Sequence, residues 1–248
     1  MALFAIGFAG HVFLLSKYRT WYFVPIAVGI VMEIIGYIFR IFSNVDNPYA
    51  VAYFVAQCFC IVVAPVFFSA SIYSIASVLT NFYGRRFTTL PPKLMLWGFV
   101  GCDVVATVIQ IVGAALVGTA YSDRKDPTDY NTILFSGLCF QVFSFALFLI
   151  VLVWILVKAR SSVHSVSRRF LVAFVVAALA VYLRTCFRLA ETAQGLESDL
   201  ATREVYFGCL EFAPMVMAVF LLMYGHPGRW LKGVSMVKVA DSPSLSSC

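Results

Sequence analysis

The sequence predicts an all-α integral membrane protein, a seven-transmembrane-helix bundle with its N-terminus outside and its C-terminus cytoplasmic. Three observations predict it. The 248 residues are 62% hydrophobic and only 12% charged, with a mean hydropathy of +0.91; a soluble domain carries about a quarter charged residues. The apolar residues fall into runs near the length of about 20 that a helix needs to cross the hydrocarbon core. The lysines and arginines gather in alternate connections between those runs.

Seven runs qualify as spans, at 1–16, 20–42, 49–80, 94–119, 131–157, 168–191 and 203–224. The first is short and starts at Met1, which leaves two readings: a marginal span, or a longer chain with a polar segment upstream. Six spans is the alternative. The third is long enough to tilt or to extend beyond the bilayer. Pro25, Pro65 and Pro214 fall in spans two, three and seven. A proline there frees backbone carbonyls that must line a cavity or find another partner. Residues 1–230 form the membrane domain, and 231–248 form a Ser-rich tail expected to be disordered.

Orientation follows from charge. Connections after spans one, three and five hold Lys17, Arg19, Arg85, Arg86, Lys93, Lys158, Arg160, Arg168 and Arg169, and the tail adds Arg229, Lys232 and Lys238. The other side has Arg124, Lys125 and Arg203, with Arg40 at a helix end. By the positive-inside rule the first set is cytoplasmic. The net charge of +6 is therefore a topology signal and not a nucleic-acid surface. Six of the seven cysteines lie in apolar runs, where free Cys behaves as a small hydrophobe. No disulfide framework is expected.

The informative residues are the charges inside the spans, because Asp, Lys or Arg at mid-bilayer costs roughly 2.5–3.5 kcal/mol on insertion scales. Span two places Glu33, Gly36, Tyr37 and Arg40 on one face. Span four does the same with Asp103, Thr107 and Gln110, with Gly113 nearby. Span six has a stripe of Arg184, Phe187, Arg188, Glu191 and Gly195. Span seven carries Glu204 and Glu211, and spans three and five add Gln57 and Gln141. Two readings compete for these groups. They pair with one another as interhelical glue, or they surround a polar pocket. Five carboxylates (Glu33, Asp103, Glu191, Glu204, Glu211) face three cations (Arg40, Arg184, Arg188), so one-to-one pairing leaves two carboxylates over. An unpaired buried carboxylate binds a proton or a cation. An amine head group on a lipid-like tail suits such a site.

Several chemistries find no support. There is no G-x-x-x-x-G-K-[ST], so no P-loop ATP hydrolysis. There is no H-E-x-x-H or G-x-S-x-G, and no nucleophile–base pair. His11, His164 and His226 lie in separate segments and make no metal set. Span seven lacks the lysine that a retinal Schiff base needs. An enzyme, a cofactor and a nucleic-acid partner are therefore not expected.

The chain resembles the fungal RTA-like proteins, the lipid-translocating exporter family named for resistance to aminocholesterol. The resemblance runs from span two past span seven. It rests on Glu33-x-x-Gly36-Tyr37-x-x-Arg40, on Ala64-Pro65 with Ala70 and Tyr73, and on Asp103 with Gln110 and Gly113. It continues through Gly137 with Gln141, Arg184-x-x-Phe187-Arg188-x-x-Glu191 with Gly195, Glu204, Pro214-Met215 and His226-Pro227-Gly228. Family members usually carry Asp where this chain has Glu211 and an aromatic where it has Gly208. The resemblance implies a seven-helix protein, commonly of the plasma membrane, linked to export of sphingoid long-chain bases and to resistance to toxic amphiphiles.

Taken together, the expected function is export of an amphiphile without ATP hydrolysis. Membrane lipids and a cationic small molecule are the partners. Glu33, Asp103 and Glu211, with Gln110, Gln141 and Tyr37, are the candidates for touching substrate or a coupling proton. Arg40, Arg184, Arg188, Glu191 and Glu204 are the candidates for an ion-pair pocket. The alternative is a seven-helix sensor or regulator of lipid asymmetry or stress response.

Overall fold

A computed structural model describes residues 1–45, 51–83, 91–122, 128–159, 167–194 and 208–230. The described residues are helical throughout, with no strand. Helix α1 covers Ala2–Tyr18, and a single 3-10 turn, Trp21–Phe23, leads into α2, Val24–Val45. The long helices α3 (Val51–Tyr83), α4 (Pro92–Ser122), α5 (Thr128–Ala159) and α6 (Arg168–Gln194) follow. Helix α7 opens with a π turn, Gly208–Phe212, and continues as Ala213–Tyr224; a short α8, Pro227–Trp230, ends the described chain.

Local chemistry accounts for the boundaries. Pro92 and Pro227 begin α4 and α8, where the missing N–H is no loss. Arg19 adopts the left-handed conformation (φ 52) and ends α1. Asp129 in the first turn of α5 and Lys158 in its last complement the helix dipole. Most helices outrun the expected spans by a few residues, because helical hydrogen bonding continues past the apolar stretch.

Six helices are long and apolar enough to cross a membrane among the described residues: Trp21–Phe42, Phe59–Asn81, Lys93–Ala120, Thr128–Lys158, Arg168–Gln194 and Gly208–Arg229. The chain is thus a multi-pass membrane protein. Helix α1, with 17 residues, is shorter, about 25 Å at about 1.5 Å per residue.

Helices adjacent in sequence pack side by side from α2 to α7, and α1 closes the ring by lying against both α2 and α7. Helix α3 is the most enclosed span and also touches α6 across the bundle. Glycines set the closest approaches. A Cβ on Gly113 of α4 would lie 2.6 Å from the backbone nitrogen of Leu134 on α5, and one on Gly7 of α1 would lie 2.5 Å from Val219 of α7. Gly113 therefore serves contact within the bundle. The core joins Phe23 of the 3-10 turn and Ile26 and Ile30 of α2 to Phe68, Ile72 and Tyr73 of α3, Phe145 and Phe148 of α5, and Phe174 and Val181 of α6.

Candidate functional site

Three helices converge on one guanidinium. Arg184 of α6 is buried, and its Nη2 lies 3.2 Å from Oε1 of Glu33 on α2 and donates to Oε1 of Glu211 on α7 at 3.3 Å. The same nitrogen donates to the carbonyl of Ile61 on α3 at 3.0 Å. That carbonyl is available because residue 65, four positions on, is proline, so no N–H closes the helical hydrogen bond. The partner expected for a proline-freed carbonyl is the arginine itself.

Arg188, one turn further along α6, bonds Oε2 of Glu191 at 2.8 Å and comes within 3.5 Å of Oε2 of Glu211. Glu33 and Glu211 are buried, whereas Arg188 and Glu191 are partly exposed. Glu211 sits in the π turn, whose register is set beside Pro214, a second residue that cannot continue the α-helical ladder.

The cluster is short of donors. Both oxygens of Glu33 and Oε2 of Glu211 are buried and accept no hydrogen bond among the described residues, although the arginines neutralise their charge from nearby. Each such oxygen is costly to leave unsatisfied in a low-dielectric interior. Beside the acids stand three aromatic rings. Phe4 of α1 stacks on Tyr37 at 5.7 Å and meets Phe212 edge-on at 5.4 Å, and Tyr37 meets Phe212 at 5.6 Å. Tyr37 lies one turn from Glu33, and Phe212 follows Glu211 in the chain. Carboxylates flanked by aromatic faces are a chemical match for an ammonium ion.

The remaining sequence candidates occupy other places. Asp103 of α4 faces α3, where its Oδ2 accepts hydrogen bonds from Ser69 Oγ at 2.5 Å and Tyr73 Oη at 2.9 Å. Gln110 of α4 donates to Gln141 of α5 at 2.9 Å, so the two amides pair with each other. Arg40 is half-buried, two turns beyond Glu33 on the same stripe. Glu204 and Gly195 lie outside the described residues. The structure thus draws Glu33 and Glu211 into the arginine cluster and sets Asp103, Gln110 and Gln141 apart from it.

Sequence reasoning passed over the histidines. His11 is buried in α1 and donates from Nε2 to the carbonyl of Val219 on α7 at 3.0 Å. His226 accepts from the Gly228 N–H at Nδ1, 3.2 Å, which leaves Nε2 as donor to Thr20 Oγ1 at 3.4 Å. His11 thus fastens α1 to α7, and His226 ties Thr20, just before the 3-10 turn, to the segment that follows α7. The signal was the polarity of His11 on the α1 face that also carries Gly7 and Phe4. Among the described residues, no three His, Cys, Asp or Glu side chains come together in a way that could hold a metal ion.

Residues 26–234 match the RTA1 like protein family. Among curated proteins, the chain is similar to the sphingoid long-chain base transporter RSB1 of Saccharomyces cerevisiae strain Lalvin EC1118. The two are 31% identical over an alignment covering 91% of this chain and 69% of the relative. It is also similar to Protein RTA1 of Saccharomyces cerevisiae strain ATCC 204508 / S288c, 25% identical over 83% of this chain and 65% of that protein. Protein RTM1 of Saccharomyces cerevisiae is 25% identical over 82% of this chain and 66% of its own length. No solved structure matches.

Proposed function

The chain belongs to the RTA1-like protein family, and on that footing we propose that it is a membrane transporter that moves cationic amphiphiles, of the sphingoid long-chain base type, across the bilayer. The observation that carries this reading is the donor shortage at the centre of the bundle. Among the described residues, three buried carboxylate oxygens on Glu33 and Glu211 lack a hydrogen-bond donor, and an ammonium group brings three. The 31%-identical relative, a sphingoid long-chain base transporter, supports the same class of substrate.

In this reading the ammonium engages Glu33 and Glu211 beside Tyr37, while the hydrocarbon tail stays in lipid. Arg184, Arg188 and Glu191 order the acids, with Glu204 as a further member of the set. The Gln110–Gln141 pair holds α4 to α5. The protein works at the plasma membrane without hydrolysing ATP, and residues 231–248 form a tail beyond the 1–230 membrane domain. Helix α1 is a seventh crossing, which puts the N-terminus outside and the C-terminus in the cytoplasm. The cations near one set of helix ends support that orientation, and the exposed Trp21, Trp97 and Trp154 mark a membrane interface there. They lie near the helix ends that bear Lys17, Lys93, Lys158 and Arg168, as interfacial aromatics and cytoplasmic cations do.

Purified protein in liposomes tests the reading. A fluorescent long-chain amine should cross faster than in protein-free vesicles. Glu33→Gln and Glu211→Gln should each slow it by about 10–100-fold, the equivalent of one charge-assisted hydrogen bond of about 1.5–3 kcal/mol. An uncharged long-chain alcohol should gain little. Equal acceleration of amine and alcohol, unaffected by either variant, would overturn it. Binding without movement would favour the sensor.

A further inference from the structure

Asp103 stands apart from the arginine cluster in its chemistry as well as its position. It is fully buried on α4. No lysine, arginine or histidine pairs with it among the described residues. Its partners are neutral: Ser69 and Tyr73 of α3 both donate to Oδ2, while buried Oδ1 accepts nothing among the described residues. Tyr73 is the titratable group in contact with it from α3. Helix α5 presents Phe145 and Phe148 around Tyr73, and α4 itself adds Phe99 against that ring and Cys102 as the chain neighbour of Asp103. An isolated ionised carboxylate in such surroundings is very costly unless it is paired or neutralised. The arginines answer that need for Glu33 and Glu211. Nothing in the described bundle answers it for Asp103.

Ser69 adds a second observation. Its single hydroxyl hydrogen has two acceptors within reach, Asp103 Oδ2 at 2.5 Å and the carbonyl of Val66 in its own helix at 3.0 Å. It can serve one or the other. Val66 follows Pro65, the residue whose missing N–H hands the Ile61 carbonyl to Arg184. Ile61, Pro65, Ser69 and Tyr73 recur every fourth residue along one side of α3. One helix therefore touches both sites, and its hydrogen-bond ladder is interrupted between them.

We propose that Asp103, cradled by Ser69 and Tyr73, is the site where the bundle takes up and releases a coupling proton, and that α3 carries this loading to Arg184 across the interruption at Pro65. The inference rests on the amine-transport reading for what the proton drives, but not for the existence of the site. The step is a simple one. A proton from water adds to Oδ1 of the carboxylate to give the neutral acid, and release reverses it; no other bond is made or broken. With the acid neutral, Ser69 turns to Val66. With the carboxylate ionised, it turns back. That exchange tightens or loosens the turn of α3 next to the break and so moves the Ile61 carbonyl relative to Arg184.

Two measurements on the full chain test it. Infrared spectroscopy of the protein in nanodiscs, titrated with pH, should show the carbonyl stretch of a buried protonated carboxylic acid. That band should vanish in Asp103→Asn and persist in Glu33→Gln. In liposomes, a pH gradient should accelerate amine movement by the wild type and not by Asp103→Asn, whose affinity for the amine should stay within about twofold of wild type, roughly 0.4 kcal/mol. Absence of the band at every pH overturns the proposal, as does gradient-driven movement by Asp103→Asn equal to wild type. Loss of amine binding in Asp103→Asn places the residue in the amine site and also overturns it. Should Asp103→Asn not fold, Ser69→Ala and Tyr73→Phe keep the carboxyl and each delete one donor; an unchanged pH midpoint of the band in both sinks the idea. If the wild type moves no amine, the transport reading fails by itself, and the infrared titration still decides whether Asp103 takes up a proton.

Discussion

Replacing Arg184 with methionine keeps an unbranched side chain of similar reach and removes the charge that Glu33 and Glu211 share. Both carboxylates lie within 3.3 Å of the same Nη2. Breaking a buried ion pair from one side costs about 3–5 kcal/mol, because the partner charge stays behind in low dielectric. For a chain of this size, about 1 kcal/mol moves the melting midpoint by roughly 2–4 °C, so Arg184→Met should lose roughly 6–20 °C. The geometry also ranks the rescues. Arg188 stays 3.5 Å from Glu211 Oε2, whereas no described ion pair but that with Arg184 holds Glu33. Adding Glu33→Gln to Arg184→Met should therefore recover about 1–3 kcal/mol, and adding Glu211→Gln should recover less. Thermal unfolding of the wild type and these three purified variants in nanodiscs, followed by tryptophan fluorescence, measures this. An Arg184→Met protein as stable as wild type, or a better rescue by Glu211→Gln, would refute the arrangement.

The packing yields two more predictions, both read from the same unfolding assay. Gly113→Ala would set a methyl 2.6 Å from the Leu134 backbone nitrogen and 2.8 Å from its Cα, neither of which can swing aside, so it should cost about 1–3 kcal/mol. The lipid-facing control Gly101→Ala meets nothing within 4 Å and should be neutral or stabilising by up to about 1 kcal/mol from helix propensity. Gln110→Leu should cost about 1–3 kcal/mol by leaving the Gln141 carbonyl without its donor. Joining it with Gln141→Leu should restore most of the loss.

The spans and the buried charges were legible in sequence because lipid imposes two simple rules: helices must be apolar and long, and charges inside them need reasons. Those rules found Glu33, Arg184 and Glu211 on three separate helices. They could not say which acid meets which arginine, since that depends on rotation of α2, α6 and α7 about their axes. Hence Glu33 and Glu211, grouped with Asp103 from sequence, stand with Arg184, while Asp103 faces Ser69 and Tyr73. Those two hydroxyls lie on α3 at an ordinary helical spacing; Tyr73 entered the sequence reading only through the family resemblance, and a serine or tyrosine in a span is not costly enough to demand a partner. The role of His11 was hidden for a related reason: its acceptor is a backbone carbonyl 208 residues away, which no side-chain pattern reveals. The Pro65 carbonyl was different. A proline inside a span makes a definite claim about a backbone oxygen four residues earlier, and the structure supplies its partner.

The proposed role of the arginine cluster as a site, rather than a staple, draws its support from incomplete satisfaction in both directions. A staple would distribute the donors of Arg184 over the available acceptors. Here one nitrogen, Nη2, approaches Glu33, Glu211 and the Ile61 carbonyl, while buried Nε has no acceptor. Three carboxylate oxygens meanwhile accept nothing among the described residues. A polar network left half-satisfied in low dielectric is worse than one completed or one absent. It is retained where something else completes it. A fixed second guanidinium would complete it permanently and abolish any transport. On the proposed transport reading, a mobile ammonium would complete it transiently by supplying donors to the acids. Pro65 keeps the Ile61 carbonyl open to Arg184 whether or not an amine is bound, so on that reading the guanidinium would retain an acceptor when an amine takes up the acids.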